Sequence, residues 1–374
     1  MPDRHHVIVN LTDMPAVVRE PRFDETRLAA AFAVLGEQVA AGRVPGAVVA
    51  VAGPDGEPRI EAFGVGAEGE PVTFAHRFSV ASVTKPIVAT AVMQAIEEGL
   101  LSLDTRIVER LPRFSPPSPS GGSSAEITVR QLLDHTSGVV DPPLVPDPRR
   151  TAERIIGELS EQPLEFPPGA AFRYASDTFF LLAEIVRLAD ATETFAESLR
   201  RRVLAPLAMN ATSFRSREPD QPSAAAGMIG LSEEELAAYE QWFEPLDHPG
   251  GGLWSTAGDL IRFGQAMLNG GDLGGARVLS PESVRLMTSD QTGGLHEPRD
   301  PSFRPCYGLG WDKSTTSRGL PGSPAQFDHA GSSGSRVWVD PADGLVFAMV
   351  AGLWLTGGEL SDEVIGPVYG ALLR

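Results

Sequence analysis

Ser82-Val83-Thr84-Lys85 sets a hydroxyl and a primary amine three residues apart in a chain of 374 residues. On a helix that spacing brings both side chains to one face, one turn apart and within mutual reach. A serine hydroxyl is a weak nucleophile until a neighbouring base takes its proton, and an amine serves as that base only after losing its own. Arg77–Val80 before the tetrad is strand-like and the apolar run after it is helical, so Ser82 opens a helix. The unpaired N–H groups and positive dipole end found there suit a developing oxyanion. Pro86 fits because the first helical turn needs no N–H from it. Of the 31 basic residues only Lys85 and Lys313 are lysines. Burial can lower a lysine pKa, whereas arginine stays charged. The tetrad predicts nucleophilic catalysis through an acyl-enzyme on Ser82, with Lys85 as proton partner.

The elements that must hold this tetrad follow from periodicity. Thr26–Gly42 reads as an amphipathic helix closed by glycine. Gly46–Gly53 and Pro58–Gly64 read as strands of a hairpin turned at Pro54–Gly56, hence antiparallel. Val83–Leu100 is apolar nearly all round and predicts a buried helix. Helical patterns follow at Val129–Leu133, Ala152–Leu159, Asp177–Leu188, Phe195–Val203, Glu233–Trp242 and Ser255–Leu268, with low-complexity loops at Pro112–Ser124 and Asp141–Pro148. Strands return at Ser335–Val339 and Leu345–Ala351 before a closing helix at Glu359–Leu373. Strands at both ends with helices between predict one α/β sheet domain, residues 1–105 and 245–374, holding a mostly helical insertion at 106–244.

Seven ordered blocks carry a family resemblance: FSVASVTKPI (Phe78–Ile87), GLLSLDTRI (Gly99–Ile107), ITVRQLLDHTSGV (Ile127–Val139), FRYASDTFFLLAEIV (Phe172–Val186), PLAMNATSF (Pro206–Phe214), GGLWSTAGDLIRF (Gly251–Phe263) and HAGSSGSRVWVDP (His329–Pro341). With them the chain resembles the penicillin-recognising serine hydrolases, in the branch of class C β-lactamases, family VIII carboxylesterases and D-aminopeptidases. The resemblance implies a β-lactamase-like α/β (α+β) fold, an antiparallel sheet flanked by helices plus the helical insertion. It also implies that Ser82 is the acylated nucleophile, Lys85 its partner and Tyr174 the residue sharing acid and base work. The second motif of the family is usually Tyr-x-Asn, and here it is Tyr174-Ala175-Ser176, which leaves Ser176 to donate one bond to substrate. The third is usually Lys-Thr-Gly and here is His329-Ala330-Gly331. Its strand would supply the N–H of Ser332 to an oxyanion hole completed by the N–H of Ser82.

Other signals lead nowhere. Gly64–Gly69 matches the dinucleotide fingerprint G-x-G-x-x-G, yet the extended Glu70–Thr73 follows it rather than a helix. No G-x-S-x-G elbow or H-E-x-x-H is present, and a single cysteine, Cys306, allows no intrachain disulfide. No metal or cofactor is expected. The net charge of -18 repels phosphate backbones, which argues against nucleic acid as partner. No stretch reaches the ~20 apolar residues of a membrane span, and the N-terminus lacks secretory features, so a cytoplasmic enzyme is expected. His135, in LLDHTSG, reads as a helix end that packs the core.

These observations predict a carboxylesterase acting on small esters. Amide chemistry on D-amino-acid peptides or β-lactams and acyl transfer are the alternatives, with a non-catalytic scaffold behind them. At an unperturbed pKa of about 6.5 His329 is expected to be mostly neutral near pH 7.5. Uncharged esters are then expected to react well and carboxylate-bearing substrates to bind weakly, improving as His329 gains a proton.

Overall fold

A computed structural model describes residues 20–118, 126–143, 147, 149–216, 227–228, 244–313, 319–354 and 358–373. The helix expected at Glu233–Trp242 lies outside them. The longer helices are α1 (Glu25–Ala40), α2 (Thr84–Glu97), α3 (Ala152–Glu161), α4 (Phe179–Asp190), α5 (Ala257–Leu268) and α6 (Glu359–Ala371). Helix α1 begins where the Asp24 carboxylate accepts the N–H groups of Thr26 and Arg27, satisfying two donors of the first turn. The chain leaves it through Gly42 at φ 71°, a left-handed conformation that glycine adopts without strain.

Strands β1 (Gly46–Ala52) and β2 (Arg59–Gly64) form the expected antiparallel hairpin. The far end of the chain supplies β3 (Phe327–Ala330), β4 (Arg336–Asp340) and β5 (Leu345–Ala351). The order across the sheet is β2-β1-β5-β4-β3, and every neighbouring pair is antiparallel. All residues of β1 and β5 are buried, and the alternation of a strand sorts them onto two faces. Val48, Ala50, Val346 and Ala348 join a cluster that takes in α2, α4 and α5. Val49, Val51, Phe347 and Met349 join another with Phe32 and Leu35 of α1 and Val364 and Val368 of α6. Each such side chain contributes about 1.5–3 kcal/mol on burial, so a sheet covered on both faces makes a firm frame. Gly264 lets α5 lie close, since a Cβ there would meet Val346 Cγ1 at 2.4 Å.

The first apolar cluster runs from the sheet through α2 into α4 and the short helices Val129–Leu133 and Phe195–Leu199. The last of these passes into a single π turn, Arg200–Leu204, where one continuous helix was expected. Strand β3 and the helix Pro281–Met287 were not expected from pattern, being only 4 and 7 residues long. Among the described residues no helix is long and apolar enough to cross a membrane.

Candidate active site

Ser82 stands in the middle of a 3-10 turn, Ala81–Val83, that runs directly into α2. The short strand before it, Phe78–Ser79, pairs with Trp254–Ser255, and the Val80 N–H continues that ladder to the Leu253 carbonyl at 2.9 Å. To pass from strand to helix Ala81 adopts φ 46°, a left-handed value that costs an alanine about 1–2 kcal/mol. Packing holds the strained residue in place. A Cβ on Gly331 would meet the Val80 carbonyl at 2.3 Å and the Ala81 Cβ at 3.2 Å, so only glycine lets the end of β3 reach the serine turn. The chain then reverses, with Gly334 N–H on the Gly331 carbonyl at 3.0 Å and Ser332 half-buried at the turn. Among the described residues, no hydrogen bond uses the N–H of Ser82 or of Ser332. Both sequence-predicted oxyanion donors are therefore free.

Lys85 is fully buried one turn on. Its Nζ lies 3.2 Å from Ser82 Oγ, 3.0 Å from Ser176 Oγ and 2.6 Å from the Gly250 carbonyl oxygen. Among the described residues no carboxylate is within salt-bridge distance, and burial lowers its pKa to about 7, against the opposing pull of Asp141 and Asp177. A neutral amine fits the three contacts well. Two N–H groups donate to Gly250 and Ser176, and the lone pair accepts the Ser82 proton. Ser176 thus faces the lysine, where the motif had suggested a substrate contact.

The Gly250 carbonyl is itself held. Gly250 N–H donates to His248 Nδ1 at 3.1 Å, so the proton of a neutral His248 sits on Nε2, which donates to Asp177 at 2.9 Å. Asp177 also meets Arg150, and Arg150 reaches Glu158. Asp141 accepts the N–H groups of Ser176 and Asp177 at 2.7 and 2.8 Å, fixing the turn that leads into α4.

Tyr174 is clamped by His135. The His135 carbonyl accepts the Arg173 N–H at 2.8 Å, and its Nδ1 accepts the Ala175 N–H at 3.3 Å, so both bonds flank the tyrosine. His135 itself sits at φ 60°, is buried, and its pKa is held well below the usual value by burial and by the Lys85 charge. Among the described residues its Nε2 has no hydrogen-bond partner, and the imidazole centroid is 4.5 and 4.9 Å from the ring centroids of Tyr174 and Tyr307. Lys85 Nζ is 4.6 Å from the Tyr174 ring centroid. Burial raises the Tyr174 hydroxyl pKa while hydrogen bonding with Ser82 pulls it down. Tyr174 is 40% exposed as a cleft wall, so solvent weakens that upward push.

The expected titration of His329 is overturned. His329 is buried in β3, with Nδ1 2.9 Å from the Ala330 carbonyl and Nε2 2.9 Å from the Tyr307 hydroxyl. A carbonyl only accepts, so Nδ1 carries the proton and Tyr307 donates to Nε2. Burial, reinforced by the Lys85 charge, lowers its pKa to about 3. The imidazole is neutral throughout the physiological range and has no free donor for substrate.

Tyr174 and His329 both line a cleft of about 320 Å³ that continues past Phe172, Phe303, Tyr307 and Asp312. Among the described residues no group of three or more His, Cys, Asp or Glu could hold a metal ion. Pattern had not singled out Gly250, His248, Asp177 or Tyr307. The glycine-rich run around Gly250–Gly252 and the histidine two residues before it were the available signals.

The sequence profile of the Beta-lactamase family matches residues 31–359. The chain belongs to the Beta-lactamase family. This Beta-lactamase family member is 30% identical over 339 residues to esterase EstB of Burkholderia gladioli, covering 80% of this chain and 84% of EstB. An uncharacterized protein of Mycobacterium tuberculosis is 32% identical over 240 residues, which span 57% of this chain and only 59% of that relative. The structure of EstCE1, described as a hydrolase with promiscuous acyltransferase activity, superposes with a TM-score of 0.76 at 21% identity, covering 92% of this chain and 99% of EstCE1. The fold is β-lactamase-like, a five-stranded antiparallel sheet with helices and a helical region.

Proposed function

We propose that this family member hydrolyses small carboxylic esters through an acyl-enzyme on Ser82. The observation that carries the reading is Lys85, buried beside Ser82 Oγ with no salt bridge among the described residues and brought by burial to a pKa of about 7. At neutral pH about half of such a lysine is unprotonated and able to accept a proton. Its neutral form takes the Ser82 proton as Oγ attacks the carbonyl carbon, and the N–H groups of Ser82 and Ser332 receive the oxyanion. Tyr174, whose phenol stays protonated, donates to the departing alkoxide and regains a proton from the Lys85 ammonium. Water then attacks the Ser82 ester, the same groups carrying its proton back to Oγ, and the acid leaves. Esterase activity at 30% identity in EstB supports esters as the substrate class, as does a third motif with no cation for a substrate carboxylate.

The test is intact-mass and peptide mapping after treatment with a fluorophosphonate, run beside a panel of chromogenic esters, D-amino-acid anilides and a cephalosporin. Label on the Ser82 peptide and fastest turnover of short esters are expected. Label on another serine would remove the assignment, and preference for the cephalosporin would remove the ester reading.

A further inference from the structure

Lys85 can aim its lone pair at Ser82 Oγ only while its two other contacts stay in place. One is the Ser176 hydroxyl, at the turn into α4. The other is the Gly250 carbonyl, in the loop before the strand Trp254–Ser255. The two segments are pressed together here, since a Cβ on Gly250 would meet the Ser176 carbonyl at 2.3 Å. A main-chain carbonyl has no rotamer of its own, so it points where its peptide plane points. His248 sets that plane. Its carbonyl accepts the N–H groups of Gly251 and Gly252 at 3.1 and 2.7 Å, and its Nδ1 accepts that of Gly250 at 3.1 Å. On the other side of the ring Nε2 meets Asp177, the residue after Ser176, at 2.9 Å. The Phe180 ring packs edge-on against the imidazole, with centroids 4.8 Å apart. One buried imidazole therefore ties the loop that carries one lysine acceptor to the turn that carries the other.

His248 and Gly250 stand just before the GGLWSTAGDLIRF block and belong to none of the seven. We infer that His248 is a positioning residue for Lys85: its Nδ1 holds Gly250 so that the carbonyl takes one lysine N–H and leaves the lone pair facing Ser82 Oγ. The inference rests on the acyl-enzyme reading above. With Gly250 released, the amine turns away from the serine, and a misplacement of about 1 Å can cost about 10²-fold in rate.

Three variants test it. Asparagine places Oδ1 where histidine has Nδ1, so His248→Asn keeps the acceptor for Gly250. His248→Gln keeps a donor for Asp177 but loses that acceptor, and His248→Ala loses both. All three forfeit the ring contact with Phe180, so a purely structural role would lower them alike. The rate at which a fluorophosphonate labels Ser82 reads the nucleophile itself, while the labelled amount counts folded sites. His248→Gln and His248→Ala should slow both labelling and kcat for a short ester by about 10–100-fold, with KM within about twofold. His248→Asn should stay within about fivefold of wild type. The fall of kcat/KM below a midpoint of about 7 should persist in His248→Asn, since Lys85 is its source. If one of the first two variants does not fold, the other carries the comparison. Rates unmoved in all three, a loss shared equally by His248→Asn, or a flat pH profile in His248→Asn overturns the inference. A cephalosporin turned over faster than the short ester would remove the ester reading, and the labelling rates would still judge His248. No label on wild-type Ser82 would remove both.

Discussion

Lys85 and His329 are both basic side chains buried beside Ser82, and the same desolvation has opposite consequences for them. Lys85 begins at 10.5 and is brought down to about 7, into the range where it exchanges protons at neutral pH. His329 begins at 6.5 and is brought down to about 3, where it no longer exchanges them. Burial thus makes a proton switch of the stronger base and a fixed neutral strut of the weaker one. The surroundings match these roles. Lys85 meets two side-chain and main-chain acceptors besides Ser82, whereas both nitrogens of His329 are already saturated. The Lys85 wall should govern kcat, and the His329 wall should govern what is bound.

The sharpest break of this comparison is at Lys85. Lys85→Arg keeps a cation but cannot lose the proton, so kcat/KM should fall by about 10³–10⁴, near the upper end for general acid–base groups. Tyr174→Phe should cost about 10²–10⁴ alone, and the double variant should be far from multiplicative because the two groups act together. On the proposed mechanism the protonated lysine is the inactive form. The kcat/KM of a neutral ester should therefore fall tenfold per pH unit below a midpoint of about 7 and level off above it. A flat profile from pH 5 to 8 would show that Lys85 does not titrate as the base.

A smaller effect is expected at His135, which meets the lysine wall through the rings of Tyr174 and Phe179 rather than by a bond to Lys85. Removing both the Nδ1 acceptor and the ring, as in His135→Ala, should lower kcat about tenfold with little change in KM, the signature of lost transition-state positioning. Asparagine tolerates the left-handed conformation and keeps an acceptor, so His135→Asn should recover part of the loss. Equal kcat in wild type and His135→Ala, with only a lower melting temperature, would reduce His135 to packing.

How much of this was legible in the sequence depends on whether the signal was local. Strands β1 and β5 were readable because every residue is apolar over 7 positions, and Lys85 because a chain of arginines kept so few lysines. Strand β3 is 4 residues long, too short for a period to declare itself. The Gly250 carbonyl is main chain and leaves no mark on residue type, although it makes the shortest contact of Lys85. Tyr307 and His329 are 22 residues apart and meet only through the fold. That enclosure is also why His329 departs from the titration its residue type suggests: residue type sets the starting pKa, but burial sets the direction and size of its shift.

The mildest test falls on that same pair and asks whether the strut is as inert as its geometry requires. With Nδ1–H on Ala330 and Nε2 accepting from Tyr307, the imidazole should keep one tautomer across the working range. In ¹⁵N-labelled protein the His329 ring resonances should hold steady between pH 5 and 8, since the midpoint lies far below, at about 3. Ring resonances read His329 directly, which kinetics cannot, because Lys85 titrates in that interval and would move the KM of an anionic ester by itself. Tyr307→Phe removes the donor to Nε2 but leaves the ring buried, so an unpaired acceptor worth about 1–3 kcal/mol should appear as lower stability. Its effect on kcat for a neutral ester should stay within about threefold, because the proton route through Lys85 and Tyr174 does not pass through His329. A resonance midpoint near 6.5, or a kcat loss rivalling that of Tyr174→Phe, would place His329 among the proton carriers and erase the division between the two walls.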